Sequence, residues 1–293
     1  MPSSLDSVTA ANKRLVTEFR TVVVAARNAD AVVEYVAPDL VQHGADLPDG
    51  VQAYADHLRD CFRRETEVAG PDAAGRTPEP VFTIADGDLV CVCRYVPQPD
   101  PDAPGATFDH YAFTTYRVRD GRITERWPSL NKIAPPWPPA PDTPSRAILV
   151  STSPGIDTEA NKRLVRDFYR CIFDARNPAA VKDFVTDDYR QHVSFFPTGR
   201  AGLERLVRTQ FPDGPVPTPA EQSNPPVLLL AEGDIVVCVG LLPQPEPDGS
   251  GGTYPYYVYD AFRVRGTLIT EHWSGVNKAA PPRHPGPPPG QAG

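Results

Sequence analysis

The residues best placed to do chemistry sit in the run Tyr256–Arg265, YYVYDAFRVR, where one acid is embedded among aromatic and aliphatic side chains. In an extended strand successive side chains point to opposite faces, so Tyr256, Val258, Asp260, Phe262 and Val264 share one side. The apolar company of Asp260 marks that side as interior. Burial penalises a carboxylate and raises its pKa, which turns an aspartate into a useful base toward a carbon acid near neutral pH. The competing arrangements are an ion pair with an arginine, or an edge position facing water.

Earlier in the chain the position equivalent to Asp260 is Thr114, within TTYRVR, and its hydroxyl is no base at neutral pH. His110 has the same strand parity, so on an unbroken strand both face one cavity and the imidazole can stand in for the missing carboxylate. Either only the C-terminal site reacts, which is the preferred reading, or both sites react with different groups. A Gln-His pair recurs as Gln42-His43 and Gln191-His192. Each histidine can hydrogen-bond a substrate carbonyl or enolate and shuttle a proton, or can simply fasten its segment to the backbone. Tyr256, Phe196 and Trp273, with Trp127 in the N-terminal half, are wall material for a flat or polyunsaturated ligand. Glu271 shares a face with Trp273 while His272 takes the other, so Glu271 and His272 compete as helpers to Asp260. The residues of a second pocket would be His43, His110, Thr114 and Trp127.

Several classes of chemistry have no signature here. No histidine–carboxylate cluster has metal-ligand spacing, DGSGG at 248–252 lacks the Lys-Ser/Thr and helix of a phosphate loop, and neither a GxSxG elbow nor a dinucleotide fingerprint occurs. Chemistry without metal or cofactor is the expectation. A net charge of −8, with no block of Lys or Arg, offers no footprint for nucleic acid or an anionic membrane. The opening MPSSLDSVTAANKRLV lacks a basic start followed by an apolar stretch, and TVVVAA is too short for a signal core or a span, so a cytoplasmic protein is expected. Five cysteines, an odd number, read as reduced structural thiols. The partner that remains is a small molecule.

What positions these residues is a duplicated unit. ANKRLV occurs at residues 11–16 and again at 160–165, and residues 9–50 match residues 158–199 at a constant offset with close to half the positions identical. Residues 81–102 answer 227–248, and 116–136 answer 262–282, after a deletion of three residues. Each copy, at about 125–135 residues, is large enough to bury its own core. The boundaries read as a first domain over 1–133, a proline-rich linker over 134–156, a second domain over 157–280 and a disordered proline-rich tail over 281–293. Leu15, Val16, Phe19, Val22, Val23 and Ala26 recur at helical spacing, as do Leu164, Val165, Phe168, Cys171, Ile172 and Ala175. Asn28 and Asn177 then stand where a left-handed residue ends the helix. A short second helix runs through Val32 and Val36, and a third over Gly50–Phe62. Strand signals follow at 81–85, 88–97, 111–119 and 122–131, with Asp-Gly turns at 86–87 and 120–121. Helices first and an antiparallel meander after make an α+β architecture, with helices on one face of a curved sheet and a concave pocket between them.

That order, helix–helix–QH–helix–meander, together with DAFRVR at 260–265 and ITEHW at 269–273, resembles the SnoaL-like polyketide cyclases of the nuclear transport factor two-like superfamily. The first copy carries TTYRVR at 114–119 and ITERW at 123–127. The resemblance covers each copy nearly end to end. It implies two tandem cone-shaped domains, each with about three helices packed on a curved antiparallel sheet, joined as an intramolecular pseudo-dimer that is free to pair further as a homo-oligomer. It implies Asp260 as the catalytic acid/base, matching the family's strand aspartate by position, with His192 and a tyrosine steadying charge on oxygen. The activity implied is that of a cofactor-free cyclase or isomerase, of lyase or isomerase class, acting on an apolar oxygenated natural-product intermediate such as a polyketide. The same superfamily also hosts epoxide-opening enzymes and non-catalytic ligand-binding modules, which are the alternatives.

Overall fold

The computed structural model describes residues 4–69, 79–134 and 143–282, and there the repeated sequence is a repeated fold. In the first domain α1 (Ser4–Phe19) buries Val16 and Phe19 and continues as a π-helical turn over Arg20–Ala25. In the second, α4 (Thr158–Phe168) starts at Asp157, whose side chain accepts from the Ala160 N–H at 2.8 Å, and runs into a π-helical turn over Tyr169–Asp174. The left-handed residues that end these helices are Arg27 (φ 54°) and Arg176 (φ 52°), one position before the asparagines expected there. Asn177 instead accepts from the Ala179 N–H at 3.1 Å and caps the next turn, a role that suits asparagine equally well.

After α2 (Val32–Tyr35) the chain forms β1 (Val36–Gln42), α3 (Val51–Ala69), β2 (Phe82–Asp86), β3 (Leu89–Tyr95), the short ribbon β4 (Gln98–Pro99) and β5 (Thr107–Phe108), then β6 (Tyr111–Arg119) and β7 (Arg122–Pro128). The second domain repeats this with β8 (Val185–Gln191), α5 (Arg200–Gln210), β9 (Leu228–Glu232), β10 (Ile235–Leu241), β11 (Gln244–Pro245), β12 (Thr253–Tyr254), β13 (Tyr257–Arg265) and β14 (Leu268–Ser274). The sheets run β1-β7-β6-β3-β2 and β8-β14-β13-β10-β9. The segments leading into each Gln-His pair therefore do not lie opposite the meander. They are edge strands of the same sheet, parallel to β7 and β14, reached by a crossover that carries the helices.

One irregularity decides which side chains face where. The register slips between Arg117 and Val118 and between Arg263 and Val264, leaving Thr124 and Thr270 as extra residues. Each bulged threonine bonds back across the pair, Thr270 Oγ1 to Arg263 O at 3.3 Å and Thr124 Oγ1 to Arg117 O at 3.4 Å. A bulge reverses the alternation beyond it. Ile123 and Ile269 thus point toward the helices, whereas Trp127 and Trp273 point to the other face.

Each sheet consequently has two covered faces. The helix-side cores gather Val16, Phe19, Tyr54 and Tyr116 in one domain and Val165, Phe168, Leu203 and Phe262 in the other. The opposite faces meet in a single shared core holding Phe82, Cys91, Phe113 and Trp127 together with Leu230, Val237, Tyr259 and Trp273. Cys91 is free and sealed here, and burial pushes its thiol up to about 12. Phe113 stacks on Tyr259 at 5.1 Å, and the Tyr259 hydroxyl donates to the Trp127 carbonyl at 2.7 Å. The contacts are reciprocal, as in an isologous dimer. Lys13 pairs with Glu232 and Lys162 with Asp86, at 2.7 and 2.5 Å. Asn131 donates to Ala280 O at 3.0 Å and Asn277 to Ala134 O at 3.1 Å. The repeated string ANKRLV supplies both Lys13 and Lys162, and so part of the clasp between the halves.

Of the proline-rich spacer, residues 143–156 run along both domains, with the Ile148 N–H donating to Val81 O at 2.8 Å and the Ser151 N–H to Asp234 Oδ1 at 2.9 Å. Residues 135–142 of that spacer, and the expected tail from residue 283 onward, lie outside the described residues. Among the described residues no helix is long and apolar enough to cross a membrane.

Candidate functional site

β13 presents Asp260 to the space between sheet and helices, on the same face as Phe262 and Val264. Three other elements converge on it. Tyr169, the first residue of the π-helical turn, donates its hydroxyl to Asp260 Oδ2 at 2.7 Å. His272 of β14 meets Asp260 Oδ1 through Nε2 at 2.9 Å and lies flat on the Phe262 ring at 4.7 Å. Gln191, the last residue of β8, reaches His272 Nδ1 through Nε2 at 2.7 Å. The Gln191 Oε1 is occupied by the Val193 N–H at 3.2 Å, so its Nε2 is the donor and the ring Nδ1 the acceptor. The imidazole proton is thereby assigned to Nε2 and aimed at Asp260.

This network corrects the expected electrostatics. Burial pushes the Asp260 carboxyl up, but the bonds from His272, Tyr169 and Ser274 outweigh it, and the net pKa falls below the ordinary aspartate value. The carboxyl is held ionised by donors rather than kept protonated by an apolar wall. Its partner is an imidazole, not an arginine, and the side chain retains 20% exposure, so it borders open space within the cone. Tyr169 moves the opposite way: burial and the adjacent carboxylate raise its hydroxyl well above 10, keeping it a neutral donor.

His192 does not join Asp260. It lies on the shared-core face, its Nε2 at 2.8 Å from Glu271 Oε2, and its ring is stacked on Trp273 at 4.3 Å. Glu271 is also gripped by Arg263 at 2.5 Å, and these bonds, led by that from His192, pull its pKa down to about 2. The first domain repeats the arrangement, with His43 at 2.8 Å from Glu125, stacked on Trp127 at 4.2 Å, and Glu125 paired with Arg117. In both copies the histidine that follows the edge strand thus meets a glutamate of the neighbouring strand. Glu271, Trp273, His43 and Trp127 lie on the face where the two sheets meet. The bulge at Thr270 puts His272, and not Glu271, on the face of Asp260.

The remaining candidates scatter. Tyr256 is buried beside Ala45 and Tyr254, its hydroxyl donating to Gly275 O at 3.3 Å. Phe196 rests on Phe195 at 4.8 Å, and Phe195 in turn meets Phe108 of the other domain. His110 sits ahead of β6, edge-on to Phe108 and beside the Val276 backbone. Burial drops its pKa to about 4, which makes it a poor proton acceptor. Thr114 does face its cone, half-buried. Tyr169 and Gln191 were missed from sequence. The signal available for Tyr169 was a difference between the copies, since Arg20 stands in its place.

The SnoaL-like domain family matches the chain twice, over residues 16–126 and 165–272, more than half of its length. The chain belongs to the SnoaL-like family. The two matches end at Arg126 in β7 and at His272 in β14. Similar solved structures include an LEH-like epoxide hydrolase from M. tuberculosis, 21% identical, aligned over 41% of this chain and 82% of that one at a TM-score of 0.29. A SnoaL-like polyketide cyclase from Agrobacterium tumefaciens is 16% identical over 45% and 95%, at 0.28. TsrD from Streptomyces laurentii is 18% identical over 41% and 89%, also at 0.28. No curated protein matches the chain. The SnoaL-like domain is present twice, once in each half of the chain.

Proposed function

We propose that the second SnoaL-like cone is a cofactor-free acid–base site that closes a ring or shifts a double bond in an apolar, oxygenated intermediate of polyketide type, with Asp260 as the proton acceptor. The observation that carries this reading is the hydrogen-bonded chain Gln191–His272–Asp260–Tyr169, in which His272 and Tyr169 converge on a partly exposed carboxylate. A carboxylate steadied by three donors is a weak base. It suits a carbon already acidified by two flanking carbonyls, as a poly-β-ketone provides, better than an unactivated C–H. As Asp260 takes that proton it no longer needs the Tyr169 hydrogen, which can turn onto the enolate oxygen while His272 keeps the carboxyl in place. Proton return from Asp260 after bond formation restores the starting state.

The test is exchange of the acidic methylene protons of an aromatic β-diketone into deuterated water, followed by NMR. Asp260→Asn is expected to lower the rate by about 10²–10⁴-fold, the usual range for a general base, while diketone binding persists. Exchange that is insensitive to this substitution would remove Asp260 from the mechanism. Solvent oxygen appearing in the product from heavy-oxygen water would point to epoxide opening by the same carboxylate. Binding without any exchange in the wild type would make the cone a carrier.

A further inference from the structure

The N-terminal cone holds the opposite chemistry. Where the second domain has Tyr169, Leu203, Asp260 and His272, the first has Arg20, Tyr54, Thr114 and Arg126. Arg20 and Arg126 both lie beside the Tyr116 side chain. The Arg126 guanidinium lies 5.2 Å over the Tyr54 ring, and its Nη1 donates to Gln42 Oε1 at 2.9 Å. Arg20 is 9% exposed, and burial together with nearby Arg94 brings its pKa down to about 10.

What this cluster lacks is a counter-charge. The arginines of the shared core are each matched by two carboxylates, Arg117 by Asp88 and Glu125, Arg263 by Asp234 and Glu271. Among the described residues Arg20, Arg94 and Arg126 form no ion pair, and the Arg126 Nε is buried with no hydrogen-bond partner. Burying cations unpaired is strongly unfavourable, and stacking on Tyr54 offsets only part of it. Thr114 and Arg126 keep partial exposure on the inner face of the sheet.

We propose that the first cone binds an oxyanion, the carboxylate or phosphate end of a small organic molecule, held between Arg20 and Arg126. The planar guanidinium fork suits either group. Tyr116 and Thr114 supply neutral hydrogen bonds, and the tyrosine rings receive the organic part. Binding here is independent of whether the second cone is a catalyst.

The experiment is calorimetric titration and thermal melting of the full chain with benzoate, phenyl phosphate and neutral benzamide. The anions are expected to bind and raise Tm and benzamide to do neither, with the tighter of the two anions identifying the source of the group. Arg20→Gln and Arg126→Gln should each weaken the anion by about 10–100-fold, as for loss of a charged hydrogen bond. Thr114→Asp, which places a carboxylate between the guanidiniums, should raise Tm in anion-free buffer and abolish binding. Asp260→Asn should leave binding intact, which separates this site from the other. The proposal is overturned if neither anion binds the wild type, if benzamide binds as well, or if Thr114→Asp leaves affinity unchanged.

Discussion

Asp260 keeps its charge because three donors point at it, so removing one donor should be visible in its titration. Tyr169→Phe deletes a bond to the carboxylate, and the acid limb of kcat/KM is expected to move up by roughly one to two pH units. A pH–rate profile that stays in place would show that Tyr169 is spatially close but electrostatically idle. His110 offers a second titration, in stability. Its folded pKa of about 4 lies below the ordinary 6.5, so between those values the unfolded chain binds a proton that the folded chain refuses. Stability therefore falls as pH drops from 6.5 to 4, by roughly 3 kcal/mol, and is unaffected above that window. Tyr256 holds the equivalent position in the second domain, so His110→Tyr is a conservative replacement. Urea unfolding from pH 7 to pH 4 should show this acid loss in the wild type and a shallower one in the variant.

At the scale of elements, the two turns that follow β2 and β9 look alike and are not equivalent. Gly87 and Gly233 both have positive φ, 60° and 57°, but a Cβ on Gly87 would meet nothing within 4 Å whereas one on Gly233 would lie 2.0 Å from the Ser151 carbonyl. Gly87→Ala should cost about 1–2 kcal/mol, the left-handed penalty alone. Gly233→Ala adds displacement of the spacer and should be the more damaging in a urea melt. A reversed order would mean that the spacer yields freely. These elements also show what the sequence made legible. Alternation along β13 was enough to turn Asp260 inward, and helical spacing located α1 and α4, because both patterns are local. The bulges at Thr124 and Thr270 carry no mark in composition, so parity could not choose between Glu271 and His272. The parallel pairing of β1 and β8 depends on a distant partner, and for that reason His192 was placed beside Asp260 when it belongs to Glu271. Tyr169 escaped notice because it lies on a helix whose last turn widens, and only the fold brings that turn over the sheet.

For the whole molecule, the shared core between the two sheets makes the domains one unit of stability. Phe113→Ala removes a ring stacked on Tyr259 and should destabilise by about 3–5 kcal/mol. Both halves should still unfold in a single transition, seen as coincident loss of far-ultraviolet and tryptophan signals. Two separated transitions would show that each half stands without the other. The reciprocal clasp of Lys13 on Glu232 and Lys162 on Asp86 has an evolutionary corollary. A dimer of identical chains must accept every substitution in both of its cavities at once. Here one gene encodes both halves, so selection can refit one interior for an acid and the other for a base while only the surfaces that meet are obliged to stay complementary.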